Sequence, residues 1–138
     1  LLNFTLMEKP VLYLIDGSSY IFRAYYAIRH LSTSSGFPTN AVYGFSSMLF
    51  KFIKDYNPFL LGMVFDAKGD TFRNEMYSLY KANRSAPPDD LVPQFQRIFD
   101  VVDAFNIPQF MMEGYEADDI IGTIAKRMEG EDLEIVIV

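Results

Sequence analysis

The chain contains no cysteine among its 138 residues. Disulfides and thiolate metal sites are thereby excluded, and any metal must be held by oxygen ligands or by the lone His30. No apolar run approaches the roughly 20 residues needed to span a bilayer, so no membrane partner is expected. Residues 1–6 lack the basic start of a secretory signal. Met7 reads as a natural start, with residues 1–9 an N-terminal extension and residues 10–138 one domain. A reduced, cytoplasmic setting is the default expectation. A basic excess is also missing: 12 Lys and Arg against 18 Asp and Glu leave a net charge of −6. Taken whole, that balance argues against a nucleic-acid binder. Disorder is excluded in turn, because 50% of the residues are hydrophobic and the length suffices for a core.

What is present is unevenly distributed. Residues 68–84 carry Lys68, Arg73, Lys81 and Arg84 against Asp70 and Glu75, whereas residues 113–134 are strongly acidic. A locally basic segment beside an acidic cluster suits a protein that grips an anion in one place and a metal in another. It equally suits an ordinary solvated surface.

The apolar pattern predicts the elements. Residues 11–15 form a continuous run that ends at Asp16-Gly17, the mark of a strand buried on both faces. Ser18 or Ser19 is the expected cap of a following helix, in which Tyr20, Phe22, Tyr25 and Tyr26 are expected to pack in the core. Residues 32–38 form a polar loop, and Thr39 or Asn40 opens a helix with Val42, Phe45, Leu49, Phe52 and Ile53 at helical spacing. Asn57-Pro58 ends it. A second apolar run at residues 59–65 ends at Asp66. Residues 71–83 are a candidate helix, and Asp89-Asp90 leads another, with Ile98, Val101, Val102 and Phe105 on one side. Residues 109–112 are a short strand candidate, with Met111 and Met112 as core filler. A helix begins near Glu116 with Ile120, Ile121, Ile124 and Ala125 inward, and residues 133–138 are a final strand. Strands alternating with helices predict an α/β domain with a mainly parallel, twisted sheet flanked by helices.

In an open parallel sheet, ligands bind beyond the C-terminal ends of the strands. Asp16 and Asp66 each stand just after a buried run, and Glu116, Asp118 and Asp119 open the helix after the third strand. Five carboxylates from three loops are therefore expected near one edge. Such a cluster needs a cation, because close like charges raise each other's pKa. All-oxygen ligation favours Mg²⁺ or Mn²⁺. Such a site supports cleavage or transfer at a phosphodiester. The alternative for each acid alone is a turn residue or a helix cap. Arg73, Tyr77, Tyr80, Lys81 and Arg84 mix cations with rings, as a nucleic-acid surface needs, and equally as a solvated helix does. Arg23 is either a phosphate ligand near Asp16 or a surface residue, and His30 a plain surface residue.

The strings Leu14-Ile15-Asp16-Gly17-Ser18-Ser19-Tyr20-Ile21-Phe22-Arg23-Ala24-Tyr25, Val64-Phe65-Asp66-Ala67-Lys68-Gly69 with Thr71-Phe72-Arg73, Tyr80-Lys81-Ala82-Asn83-Arg84 with Pro87-Pro88-Asp89-Asp90-Leu91, and Gly114-Tyr115-Glu116-Ala117-Asp118-Asp119-Ile120-Ile121-Gly122 stand in this order. Together they resemble the 5′–3′ exonuclease (flap endonuclease-like) domain at the N-terminus of bacterial DNA polymerase I. The resemblance implies a three-layer PIN-like 5′ nuclease fold. It implies hydrolysis of DNA at 5′ flaps, nicks and branched duplexes in replication and repair, with two divalent metals. Asp16, Asp66, Glu116, Asp118 and Asp119 match the metal-site acids. Lys81 and Arg84 match residues acting on the scissile phosphate, and with Arg23, Arg73 and Tyr80 they are the expected DNA contacts. A polymerase module in the same polypeptide and a nucleoid-associated cytoplasmic location are implied as well.

In the resembled family, further metal acids and a helix-hairpin segment follow the strand that matches residues 133–138. The expectation for these 138 residues alone is therefore an incomplete second metal site, weak duplex binding and little nuclease turnover. A free-standing flap endonuclease and a non-catalytic nucleic-acid-binding module remain the alternatives. A small-molecule phosphate enzyme has little support, since no Gly-rich phosphate loop is present.

Overall fold

The structure, a computed structural model, describes residues 8–76 and 86–138, the side chains of Asn74 and Glu75 excepted. In chain order the elements are β1 (Val11–Asp16), α1 (Gly17–Ala27), α2 (Asn40–Tyr56), β2 (Leu60–Val64), α3 (Phe72–Met76), α4 (Gln94–Ala104), β3 (Gln109–Phe110), α5 (Ala117–Arg127) and β4 (Glu134–Ile137). The four strands form one parallel sheet in the order β3-β2-β1-β4.

The period of two along β1 sorts its side chains between two layers. Leu12 and Leu14 pack with Val64, Ala117 and Ile121 beneath α5. Tyr13 and Ile15 join Met63, Phe45, Leu49 and Ile98 beneath α1, α2 and α4. With both faces covered, β1 and β2 are continuous apolar runs rather than alternating ones. Gly44 lets α1 and α2 cross closely, since a Cβ there would come within 2.9 Å of the Ala24 Cβ. At the end of α2, Asn57 takes a left-handed conformation (φ 43°) just before Pro58.

Several expectations need correction. Asp16, not Ser18 or Ser19, caps α1: its carboxylate accepts the Ser19 N–H at 2.9 Å and the Ser19 hydroxyl at 2.6 Å. The short Asp side chain reaches back over the first turn, which leaves the Ser18 hydroxyl for a different task. Tyr20 is buried as expected and Phe22 and Tyr25 are half-buried, but Tyr26 is exposed because it falls on the outer side of α1. The helix expected to start at Asp89-Asp90 starts at Gln94, because residues 89–93 form a turn and Pro93 stands at the cap. Its inward side comprises Phe95, Ile98, Phe99 and Val102, while Phe105 at its C-terminal end is exposed. β3 has only 2 residues. The chain turns immediately afterwards, with the Tyr115 N–H bonded to the Met112 carbonyl at 3.1 Å. Met111 and Met112 therefore lie outside the core, 48% and 57% exposed. Of the candidate helix at residues 71–83, residues 72–76 are helical as α3; residues 77–83, with Tyr77, Tyr80 and Lys81, and Arg84 after them lie outside the described residues.

The N-terminus of α2 is closed from another helix. Thr39 makes no side-chain cap bond. Instead the fully buried Gln94 accepts the Ala41 N–H at 2.9 Å and the Val42 N–H at 3.2 Å. Its amide nitrogen donates to Asn40 Oδ1 and to the Asp90 carbonyl, each at 2.9 Å. Asn40 in turn donates to the Tyr25 and Ile28 carbonyls at 3.2 and 3.1 Å. Among the described residues no helix is long and apolar enough to cross a membrane.

Candidate metal and nucleic-acid site

The two strand-end aspartates are brought together by a close approach in the backbone. Gly17 follows Asp16 and Phe65 precedes Asp66, and any Cβ on Gly17 would overlap the Phe65 ring. Only glycine lets the first turn of α1 sit down on the end of β2. The Ser18 hydroxyl then accepts the Asp66 N–H at 2.8 Å, fastening the loop after β2 to the loop after β1.

Asp66 reaches across to the third loop. Its Oδ1 accepts the Ala117 N–H at 2.7 Å, so the carboxylate lies on the positive end of α5. Its second oxygen takes no hydrogen bond among the described residues, and a carboxylate retains several acceptor positions after one bond. At the same helix start, Asp119 Oδ2 accepts the Glu116 N–H at 3.0 Å. Arg73, on α3, places Nη1 at 2.5 Å from Asp119 Oδ2 and at 3.9 Å from Glu116 Oε2. Hydrogen bonds thus link Asp16, through Ser19 and Ser18 of one turn, to Asp66, and Asp66 to the start of α5.

Of the five predicted acids, four are held at this edge by protein donors. Asp118 is exposed and lines a shallow groove with Thr123, Lys126 and Arg127 along α5. No group of three or more Asp, Glu or His is close enough to hold a metal ion among the described residues. The donor chemistry, carboxylate oxygen throughout, suits a hard divalent cation. The spacing is currently set by the caps and by Arg73. Helix capping, the bland alternative for each acid, is realised at Asp16, Asp66 and Asp119. A cap and a cation ligand are compatible uses of one carboxylate.

The predicted cations are less concentrated. Arg23 is exposed, with its guanidinium 5.5 Å from the Tyr20 ring centre. Arg73 is engaged with the acids rather than turned to solvent. Tyr80, Lys81 and Arg84 lie outside the described residues. Beside Asp66 a cleft of about 430 Å³ is lined by Lys68, Phe95, Phe99, Met111 and Glu113. His30 is exposed, as expected.

Sequence reasoning did not reach the Arg73 link or the Gln94 cap. The first joins residues 46 positions apart and leaves no local signal. The second had one: Gln94 falls at helical spacing on the line Leu91, Ile98 and Val102, a polar side chain in an apolar stripe.

Comparison with known proteins places the chain in a family. DNA polymerase I of Pseudomonas aeruginosa is 46% identical over 131 residues, covering 95% of this chain and 14% of the relative. The 5′-3′ exonuclease of Aquifex aeolicus is 43% identical over 126 residues, covering 91% of this chain and 44% of the relative. The chain therefore spans less than half the length of either. Among solved structures, the T5 5′-exonuclease with bound zinc superposes with a TM-score of 0.64 at 23% identity, covering 92% of this chain and 48% of that one, a likeness of fold. A bacteriophage T5 flap endonuclease in complex with DNA and metal ions superposes with a TM-score of 0.59 at 22% identity over 92% of this chain and 47% of that one. The parallel sheet, the order of the motifs and a match over residues 11–138 to the family described as 5′-3′ exonuclease, N-terminal resolvase-like domain, agree, and the chain belongs to that family.

Proposed function

We propose that this chain is the cation-binding part of a 5′ nuclease that hydrolyses DNA phosphodiesters at 5′ flaps, nicks and branched duplexes during replication and repair. The observation that carries the reading is the meeting of Asp16, Asp66 and the start of α5 at one sheet edge, joined by the Ser18 and Ala117 hydrogen bonds, in a chain of this family. Asp16, Asp66, Glu116, Asp118 and Asp119 are the residues that would hold the cations, Mg²⁺ or Mn²⁺. Cations held there would supply neutralisation of charge at the attacking and leaving oxygens.

The protein's own part is orientation. The Ala117 N–H holds one oxygen of Asp66 and leaves the other available to a cation. Lys81 and Arg84 are assigned to the scissile phosphate. Arg23, Arg73 and Tyr80 are assigned to the DNA beyond it, charges meeting phosphates and the ring a base. The matches to several enzymes named DNA polymerase I support a polymerase module in the same polypeptide, and a cytoplasmic, nucleoid-associated setting is proposed with it.

The test is a chimera. Residues 8–138 replace the matching segment of the Aquifex aeolicus exonuclease, and cleavage of a 5′-flap duplex is followed with and without Mg²⁺. Cleavage that requires Mg²⁺ and is abolished by Asp66→Asn is expected. A folded chimera that cuts equally well with Asp66→Asn would overturn the assignment.

A further inference from the structure

Arg73 occupies an unexpected place for a residue assigned to DNA. Its side chain is 32% exposed, and the carboxylates it meets are still more enclosed, Asp119 at 15% and Glu116 at 11%. Two enclosed carboxylates on one helical turn repel each other unless a cation stands between them. Here the guanidinium supplies such a charge, bonded to Asp119 and within ion-pair distance of Glu116. It is held in register from behind. The Phe72 N–H bonds to the Gly114 carbonyl at 3.0 Å, the Phe72 and Tyr115 rings meet at 5.6 Å, and the guanidinium lies 4.8 Å from the Phe72 ring centre. The start of α3 is thus fastened to the turn that leads into α5.

We propose that Arg73 is an internal counter-ion to Glu116 and Asp119, and that a divalent cation at these acids displaces it. The inference rests on the metal reading of these residues given above. A divalent cation drawing on Asp119 Oδ2 needs the oxygen that Arg73 Nη1 now occupies, so the two compete. Competition has two consequences. The acids keep their placement without the cation, since Arg73 supplies the charge that offsets their repulsion. Cation loading also turns a guanidinium loose at the edge of the site, where a phosphate is the natural next partner. Arg73 is accordingly a positioning residue, which links cation binding to anion binding through a single exchange of partners.

The test uses Mn²⁺ alone as the probe and the 138-residue chain, compared with Arg73→Gln and Arg73→Lys. Mn²⁺ affinity is read by electron paramagnetic resonance. Removing a competitor should tighten Mn²⁺ binding by about fivefold or more in Arg73→Gln, within the usual range of coupling between sites. Arg73→Lys, which keeps the charge but loses the planar fork, should fall between the two. A second reading uses the unsubstituted chain. The Arg73 Nε–H resonance should move on Mg²⁺ addition with the same midpoint as cation binding, a reading that does not depend on either variant folding. Equal or weaker Mn²⁺ affinity in a folded Arg73→Gln, or an Arg73 resonance unchanged at Mg²⁺ saturation, would overturn the counter-ion role alone. Absence of cation binding by every form would overturn the metal reading and this inference together.

Discussion

The carboxylate of Asp66 accepts the backbone N–H of Ala117 at 2.7 Å, across 51 positions of sequence. One oxygen therefore serves a helix terminus while the other takes no hydrogen bond among the described residues, so the fold and the proposed chemistry can draw on different atoms of one side chain. Asp66→Ala should remove the cap and lower stability by about 0.5–2 kcal/mol in chemical denaturation without added metal. Asp66→Asn keeps an acceptor and should recover most of that loss while still failing to bind Mn²⁺ tightly. If both substitutions cost the same stability, the hydrogen bond is not what Asp66 contributes.

Gln94 offers a second test, remote from the acids. Its replacement by Leu preserves volume but leaves the Ala41 and Val42 N–H groups and Asn40 Oδ1 without their partner. The expected loss is about 1–3 kcal/mol, read from the urea midpoint at unchanged slope. Gln94→Leu should leave Mn²⁺ binding unaffected as long as the chain is folded.

Gly17→Ala inserts one methyl group where the Phe65 ring already stands. Overpacking of this kind costs about 1–3 kcal/mol. Because the same contact sets Asp16 beside Asp66, cation affinity should fall along with the thermal midpoint. Phe65→Leu in the same chain should restore part of both, which a general loss of stability at an unrelated position would not do.

The Tyr25 hydroxyl donates to Asp90 Oδ1 at 2.7 Å, and this bond to a carboxylate pushes the phenol up from 10.0 to about 12. Ionising the phenol breaks the bond, so its contribution to folding is complete below pH 10.0 and disappears as the pH rises through about 12. Titration of a ¹³C-labelled Tyr25 ring should show the raised midpoint. Asp90→Asn, which keeps the acceptor but removes the charge, should bring it back toward 10.0.

The sheet was legible because burial on both faces writes itself into β1 and β2 as unbroken apolar runs, each ended by an aspartate. The acidic edge followed from topology, since parallel strands bring their C-terminal ends to one side. What could not be read was the partnering of polar groups over long separations. Ser18 looks like a helix cap in sequence because nothing local announces that Asp16 has already taken that role. Met111 and Met112 look like core because hydropathy does not register a turn that lifts both from the sheet. The link of Arg73 to Glu116 and Asp119 left no trace in the sequence because those partners lie far along the chain.

The clamp of Gln94 on Asn40, with Tyr25 on Asp90, gives the route from residue 67 to residue 89 two anchored footings. One is Asp66, tied to Ser18 and Ala117; the other is Asp90, tied to Tyr25 and Gln94. Both footings belong to the same packed body. The distance between the two footings is therefore set by that body, from which both are held.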